Sequence, residues 1–456
     1  MTGSERLAAD ALAIRDGALP PEVVARAVDL LRDFLGVAIG GAGEESSVTL
    51  RRGLARLGTA GAATVLGTTD RLAPPHAALA NGAAAHALEM DDTHQGGSIH
   101  LGTTMFPAAL AAAELVPATG DRVLRAVVAG YEVAARLAMA LGPAAHYGRG
   151  FHPTGTCGAF GAAVAAGVVL GLDRAGLAAA LGIAGSQTAG SMEFLADGAW
   201  TKRLHPGWAA SAGLHAAALA AAGFRGPATI VEGRFGFLRA YSDAATALAA
   251  QDGFELLRTS VKPHACCRYM QGPIDATLAL ARAHAVDPAA VERVEVGMLA
   301  AGIPIVSEPA EAKRRPRSVV DAQFSLPFGV AVALARGKAS PAEFAPAVFD
   351  DPLVRSLMDR VATVGDATLD AVFPRAWPCW VRVRLRDGRT LEARVDHPRG
   401  DPENFPSPAE LDAKFRALAG RALAPAALDR LAAAIDAFPR ADGASAVLAA
   451  SRPGVT

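Results

Sequence analysis

Four short stretches of this chain collect histidine, carboxylate, hydroxyl and lysine side chains within an otherwise Ala- and Leu-rich sequence. The first, HALEMDDTHQGGSIH at 86–100, sets Glu89, Asp91, Asp92, Thr93, His94 and His100 within twelve positions at the end of a helical pattern. Imidazoles and carboxylates at that density can ligate a metal, or can make an acid/base histidine oriented by a carboxylate. A capped helix end is the structural alternative. The second, RGFHPTGTCG at 149–158, brings His152 to a Gly-rich helix start whose free N–H groups suit a carboxylate. The third, DGAWTKRLHPG at 197–207, has Lys202 and His205 three apart, able to share one face of a helical turn. The fourth, SVKPHACCRYMQ at 260–271, carries Lys262, His264, Arg268 and Gln271.

Two of these stretches contain a lysine, which matters in this composition. Of 44 basic residues only Lys202, Lys262, Lys313, Lys338 and Lys414 are lysine, and the rest are arginine. Arginine replaces lysine well on a solvated surface, but not where a compact ammonium with a tunable pKa is required. Lys202 and Lys262 are therefore the functional candidates, and the other three read as ordinary. The run Lys313-Arg-Arg-Pro-Arg317 could attract an anion, though a solvated loop is the simpler reading. The formal net charge of −1 excludes an electrostatically driven nucleic-acid binder. With 51% hydrophobic and 20% charged residues, global disorder is excluded too.

The elements that must position these groups change character along the chain. Up to about residue 257 helix follows helix, at 76–89, 105–117, 121–142, 157–171, 174–188, 207–223 and 235–249, each ended by Gly, Pro or a polar turn. The charge-free stretch from Thr154 to Leu172 is long enough to raise a membrane span, but its small Gly and Ala side chains predict a packed core helix. The N-terminal stretch mixes charge with Ala and Leu, unlike a signal peptide. Beyond 258, alternating Val291–Gly297 and a hairpin through Asp387-Gly388 read as strands, with helices at 271–286, 321–336 and 351–361 between them. The helical pattern returns from Ser407. The fold class expected is mainly α: a helical domain (1–257 and 400–456) with an inserted α+β lid (258–399), and a cleft between the two. Cys157, Cys266, Cys267 and Cys379 fit reduced thiols of a cytoplasmic protein. No signature of a nucleotide, metal or nucleophile-elbow site appears.

HALEMDDTH (86–94) with His100, GFHPTGTCGAFGAA (150–163), KRLHPGWAA (202–210), KPHACCRY (262–269) and FSLPFGVAVAL (324–334), in this order, resemble the MmgE/PrpD family. That family includes 2-methylcitrate dehydratase, cis-aconitate decarboxylase and iminodisuccinate epimerase. The resemblance spans nearly the whole chain. It implies a helical domain with an α+β lid, a homodimer, and work without metal or organic cofactor on a small carboxylate; the charge balance and the Gly/Ala helix predict no nucleic-acid or membrane partner. The family's site residues correspond here to Asp91, Asp92, Thr93, His100, His152, Lys202 and Lys262. Against the decarboxylase-like pattern, Glu89 stands for an aspartate, Cys267 and Gln271 for histidines, Phe328 for a tyrosine and Leu101 for a proline. The loop before His100 is also one residue longer.

The shared chemistry is a carbanion or enediolate beside a carboxylate, which needs a base and cations facing the developing charge. On this reading His100 and His152 are the acid/base pair, and Asp92 orients a histidine. Asp91, Thr93, Lys262, His205 and Gln271 serve substrate binding, while Lys202 holds a carboxylate or acts as an acid. A dehydratase-like lyase ranks first, an epimerase second. A catalytically silent ligand-binding homologue and a metal-dependent hydrolase are the rivals from other classes.

Overall fold

Ala-rich segments, opened by Pro or a capping side chain and closed by Gly or a turn, build most of the protein, whose computed structural model describes residues 1–454. It is mainly α, with a smaller sheet-containing part toward the C-terminus, as the sequence pattern predicts. Contacts divide the chain into two units. The first holds residues 1–192, 201–259 and 407 onward; the second holds 193–200 and 260–406. Residues 193–200 thus belong with the sheet-bearing unit, a detail that the helical texture of the sequence hides.

In the first unit, helix Thr201–Ala221 packs on Pro153–Leu170 and on Pro74–His86. Small residues permit this. A Cβ on Gly207 would come 2.1 Å from the Leu79 carbonyl oxygen, and one on Gly82 would come 2.7 Å from Gly207 Cα. The two backbones therefore touch, and the contact sets His86 and Lys202 side by side. Helix Pro153–Leu170 is the one described helix long and apolar enough to cross a membrane, and 94% of it is buried inside the protein. It ends at Gly171 in the left-handed conformation (φ 83°), the usual glycine cap. Helices Pro21–Gly41, Gly102–Ala113 and Gly120–Leu141 meet through Phe34, Phe106 and Tyr131, with ring centroids 5.2 and 6.5 Å apart.

The helix expected at 235–249 is shortened to Phe237–Tyr241. Ser242 is extended; its hydroxyl donates to the Leu141 carbonyl and accepts the Ala244 N–H, so a side chain diverts the backbone from the helix. In the second unit, strands Val361–Gly365, Val291–Met298, Cys379–Leu385 and Thr390–Val395 lie in that spatial order. The first pair is parallel and the other two are antiparallel. The predicted hairpin is present, with Gly388 at φ 87° in its turn. The helix expected at 351–361 ends at Met358, and strand Val361–Gly365, which was not expected, begins at the last position assigned to that helix.

Candidate active site

All of the site geometry below lies within the first unit. Helix Pro74–His86 delivers His86 at its last turn, and the chain then bends through Glu89, whose φ of 55° is left-handed. The segment that follows closes on itself, with His94 N–H on the Ile99 carbonyl (2.8 Å), and re-enters helix Gly102–Ala113 just after His100. Asp92 ties down that re-entry. Its carboxylate accepts the Gly102 N–H at 2.9 and 3.1 Å and the Tyr131 hydroxyl at 2.7 Å. Burial raises the Asp92 carboxyl to about 7, opposed by Tyr131, with Asp91 and Asp33 pushing the same way as burial.

Asp91 is the carboxylate that meets imidazoles. Its Oδ2 lies 2.8 Å from His86 Nδ1 and 3.0 Å from His100 Nδ1. His100 Nδ1 is also 2.8 Å from the carbonyl oxygen of Asp92 and 3.2 Å from the Thr93 hydroxyl. A carbonyl oxygen can only accept, so His100 Nδ1 carries a proton, and in the neutral ring the lone pair is on Nε2. That is the tautomer of a general base, held by one carboxylate and one carbonyl. The expected helper was Asp92; it contributes its backbone, while its carboxylate is spent on Gly102 and Tyr131.

Lys202, in the first turn of helix Thr201–Ala221, donates to Glu89 and lies 2.9 Å from His86 Nε2. His86 is thus a neutral bridge, accepting from the ammonium at Nε2 and donating to Asp91 from Nδ1. Burial holds its pKa down, against the pull of Asp91. Pro206, within the same helix, cannot donate to the Lys202 carbonyl four residues back.

His152 caps helix Pro153–Leu170 as its flanking residue. Its Nδ1 lies 3.1 Å from His205 Nδ1 and its Nε2 3.2 Å from the Thr154 hydroxyl, which also accepts the His100 N–H at 3.1 Å. The bonds close if Thr154 donates to His152 Nε2 and His152 donates from Nδ1 to His205. Burial, then Lys202, holds His152 far below its ordinary range, and burial brings His205 down to about 3. Burial thus favours the neutral imidazole at His86, His152 and His205, beside the Lys202 ammonium. The rings of His86 stand 4.6 Å from His100 and 5.9 Å from His152.

The structure thus brings together Asp91, Thr93, His100, His152, Lys202 and His205. His94 turns away, bonding Glu255 at 2.9 Å and the Gly97 N–H at 3.0 Å. Lys262 and Gln271 belong to the second unit, where both are buried. The Gln271 amide closes the turn at 264–266, accepting the His264 N–H and donating to the His264 and Cys266 carbonyls at 3.1 and 3.0 Å. Its side chain is structural there, contrary to the substrate contact expected of it. Sequence reasoning passed over His86, Thr154 and Tyr131. His86 stands at helical i,i+3 spacing from Glu89, a readable signal; nothing marks Tyr131. In the basic run Lys313 donates to the Ile305 carbonyl, Arg314 to the Val361 carbonyl and Arg315 to Asp359, while Arg315 and Arg317 stay exposed.

Ring nitrogens of His86, His100 and His152 lie within 4.8 Å of one another, a spacing that could hold a metal ion. The donor set argues against it. Both nitrogens of His86 are engaged, and the Lys202 ammonium beside them would repel a cation.

Residues 5–248 match the MmgE/PrpD N-terminal domain and 264–438 match the MmgE/PrpD C-terminal domain. The cis-aconitate decarboxylase of Aspergillus terreus is 27% identical over 428 residues, covering 88% of this chain and 86% of that protein. The cis-aconitate decarboxylase-like protein oryM of Aspergillus oryzae is 29% identical over 448 residues, covering 91% and 89%. The cis-aconitate decarboxylase of Mus musculus is 27% identical over 421 residues, covering 88% and 83%.

Proposed function

We propose, from the premise that the chain belongs to the MmgE/PrpD family, that it is a cofactor-independent lyase acting on a small di- or tricarboxylate. The observation that carries this is His100, its Nδ1 proton fixed by Asp91 and the Asp92 carbonyl, next to His86, which the Lys202 ammonium contacts. His100 Nε2 takes a proton from the carbon next to a carboxylate. The electron pair moves into that carboxylate as an enediolate, whose charge faces Lys202. Collapse expels a hydroxide from the neighbouring carbon, which leaves as water with a proton from the imidazolium, and a carbon–carbon double bond forms. A substrate carboxylate that reaches Lys202 competes with Glu89, which holds the ammonium before it arrives.

Elimination of water is the outcome put first. Two of the positions at which the sequence departs from the decarboxylase-like pattern carry side chains with structural duties. Gln271 closes its turn, and Phe328 packs between Phe344 and Phe349 at 5.4 and 5.6 Å. The names of the relatives support decarboxylation of a cis-aconitate-like acid as the second reading. Four buried free thiols support a reducing, cytoplasmic setting, and a homodimer is part of the same proposal.

Incubation in deuterated water with 2-hydroxy di- and tricarboxylates and with cis-aconitate tests this. Solvent deuterium in the substrate together with an alkene product is the expected result. Release of CO2 from cis-aconitate favours the second reading. Exchange with inversion and no alkene would make the chain an epimerase, and no exchange in any candidate ends the carbanion proposal.

A further inference from the structure

Lys414 is the lysine most distant in sequence from the clustered residues, yet its ammonium ends one residue away from them. It projects from helix Pro408–Ala419, which lies so close to helix Pro21–Gly41 that a Cβ on Gly40 would stand 2.7 Å from the Leu418 carbonyl oxygen. Lys414 Nζ reaches Asp33 Oδ1 at 2.5 Å and the Met90 carbonyl oxygen at 2.7 Å, and only 13% of the lysine side chain is exposed. Met90 lies between Glu89, whose backbone is left-handed, and Asp91, which holds His86 and His100. An L residue resists that conformation, so something must hold the turn. Lys202 grips it on one side through the Glu89 carboxylate, and Lys414 on the other through the Met90 carbonyl.

We propose that Lys414 is a positioning residue. Its ammonium clamps the Met90 carbonyl and so fixes the direction from which Asp91 presents its carboxylate to His100. The inference rests on the reading of His100 as the base. A single compact nitrogen here serves a carboxylate and a carbonyl at once, which explains why lysine persists at this position in an arginine-rich chain. Arg32, next to Asp33 in sequence, is turned instead to Asp412 and Asp436.

The test uses the full-length chain labelled with 15N-histidine, the His100 signals being assigned by their loss in His100→Gln. The unmodified protein should show His100 as a single Nδ1–H tautomer. Lys414→Met should give a mixture of tautomers and a kcat lower by about 10–100-fold with KM within about threefold, while the thermal transition stays cooperative. Asp33→Asn, which leaves the Met90 bond in place, should keep the single tautomer. A Lys414→Met spectrum identical to that of the unmodified protein overturns the proposal. So does the same tautomer mixture in Asp33→Asn, because the ion pair and not the carbonyl clamp would then be responsible. If Lys414→Met does not fold, Lys414→Gln is scored by the same readouts. Absence of turnover in the unmodified chain would count against the lyase reading alone, since the tautomer measurement needs no substrate.

Discussion

Two adjacent aspartates divide the work of the site. Asp91 Oδ2 accepts from two imidazoles, whereas Asp92 closes a helix start and takes the Tyr131 hydroxyl. In Asp91→Asn an amide nitrogen can face a ring N–H, which favours the wrong tautomer of His100, so kcat should fall by about 10^3–10^4-fold with KM little changed. Asp92→Asn leaves the His100 contact to a backbone carbonyl untouched, and its kcat should stay within about threefold of the parent by the same logic. Steady-state kinetics on the two variants decides between them, and equal losses would refute the division. The sequence displayed this Asp-Asp pair without saying which member turns inward, because adjacent residues of an irregular segment have no fixed periodicity. His86 and Thr154 were hidden for a related reason. Each looks like the punctuation of a helix end, and only the crossing of three helices makes them neighbours of Lys202 and His100. Lys414 shows the converse error: it read as ordinary because its partners Asp33 and Met90 lie more than 300 positions away.

At the scale of elements, the helices were legible where Ala, Leu and their stops recur, and the hairpin where Asp-Gly interrupts alternation. Strand Val361–Gly365 was not: it is short, follows directly on helix Pro352–Met358, and is defined by parallel pairing with Val291–Met298. Local pattern carries no trace of a partner some 65 residues away in the chain. Helix Gly120–Leu141 shows how an element can carry a titratable load outside the site. Burial, with Glu255 adding to it, raises Glu132 on this helix from 4.5 to about 8. The folded protein therefore binds a proton there more tightly than the unfolded chain. Stability from this group is highest at low pH and is lost as pH rises from about 4.5 to about 8. Glu132→Gln keeps the acceptor for the Leu256 N–H (3.3 Å) and cannot ionise. Its unfolding midpoint should match the parent near pH 5 and exceed it progressively toward pH 8, within the range bounded by those values. A difference independent of pH would mean that Glu132 is paired and charged in the folded state.

For the whole molecule, near-neutrality goes with a site in the first unit whose ammonium is already paired. The chain's 45 acidic and 44 basic residues give a formal charge of −1, and within the site Lys202 is paired with Glu89 while burial favours the neutral form of His86 and His152 and Asp91 adds a further carboxylate. Such a protein has little long-range field with which to draw in a polycarboxylate; attraction begins only when substrate and Lys202 meet at short range, where a Debye length of about 8–10 Å screens little. The catalytic efficiency should accordingly change by less than about threefold between 0.05 and 0.5 M salt, against the steep fall typical of steered encounters. Glu89→Gln keeps the side-chain length and removes the anion that Lys202 now holds. The variant should bind citrate, used as an inert tricarboxylate probe, about 3–10-fold more tightly and should keep most of that gain at high salt, because the contact is buried and at short range. Calorimetry at the two ionic strengths reads both effects. A gain that vanishes at high salt would point to a long-range field instead, and unchanged binding would mean that the Lys202–Glu89 pair opens for substrate at no cost. Either outcome would contradict a site whose one ammonium is held in balance until a carboxylate displaces its partner.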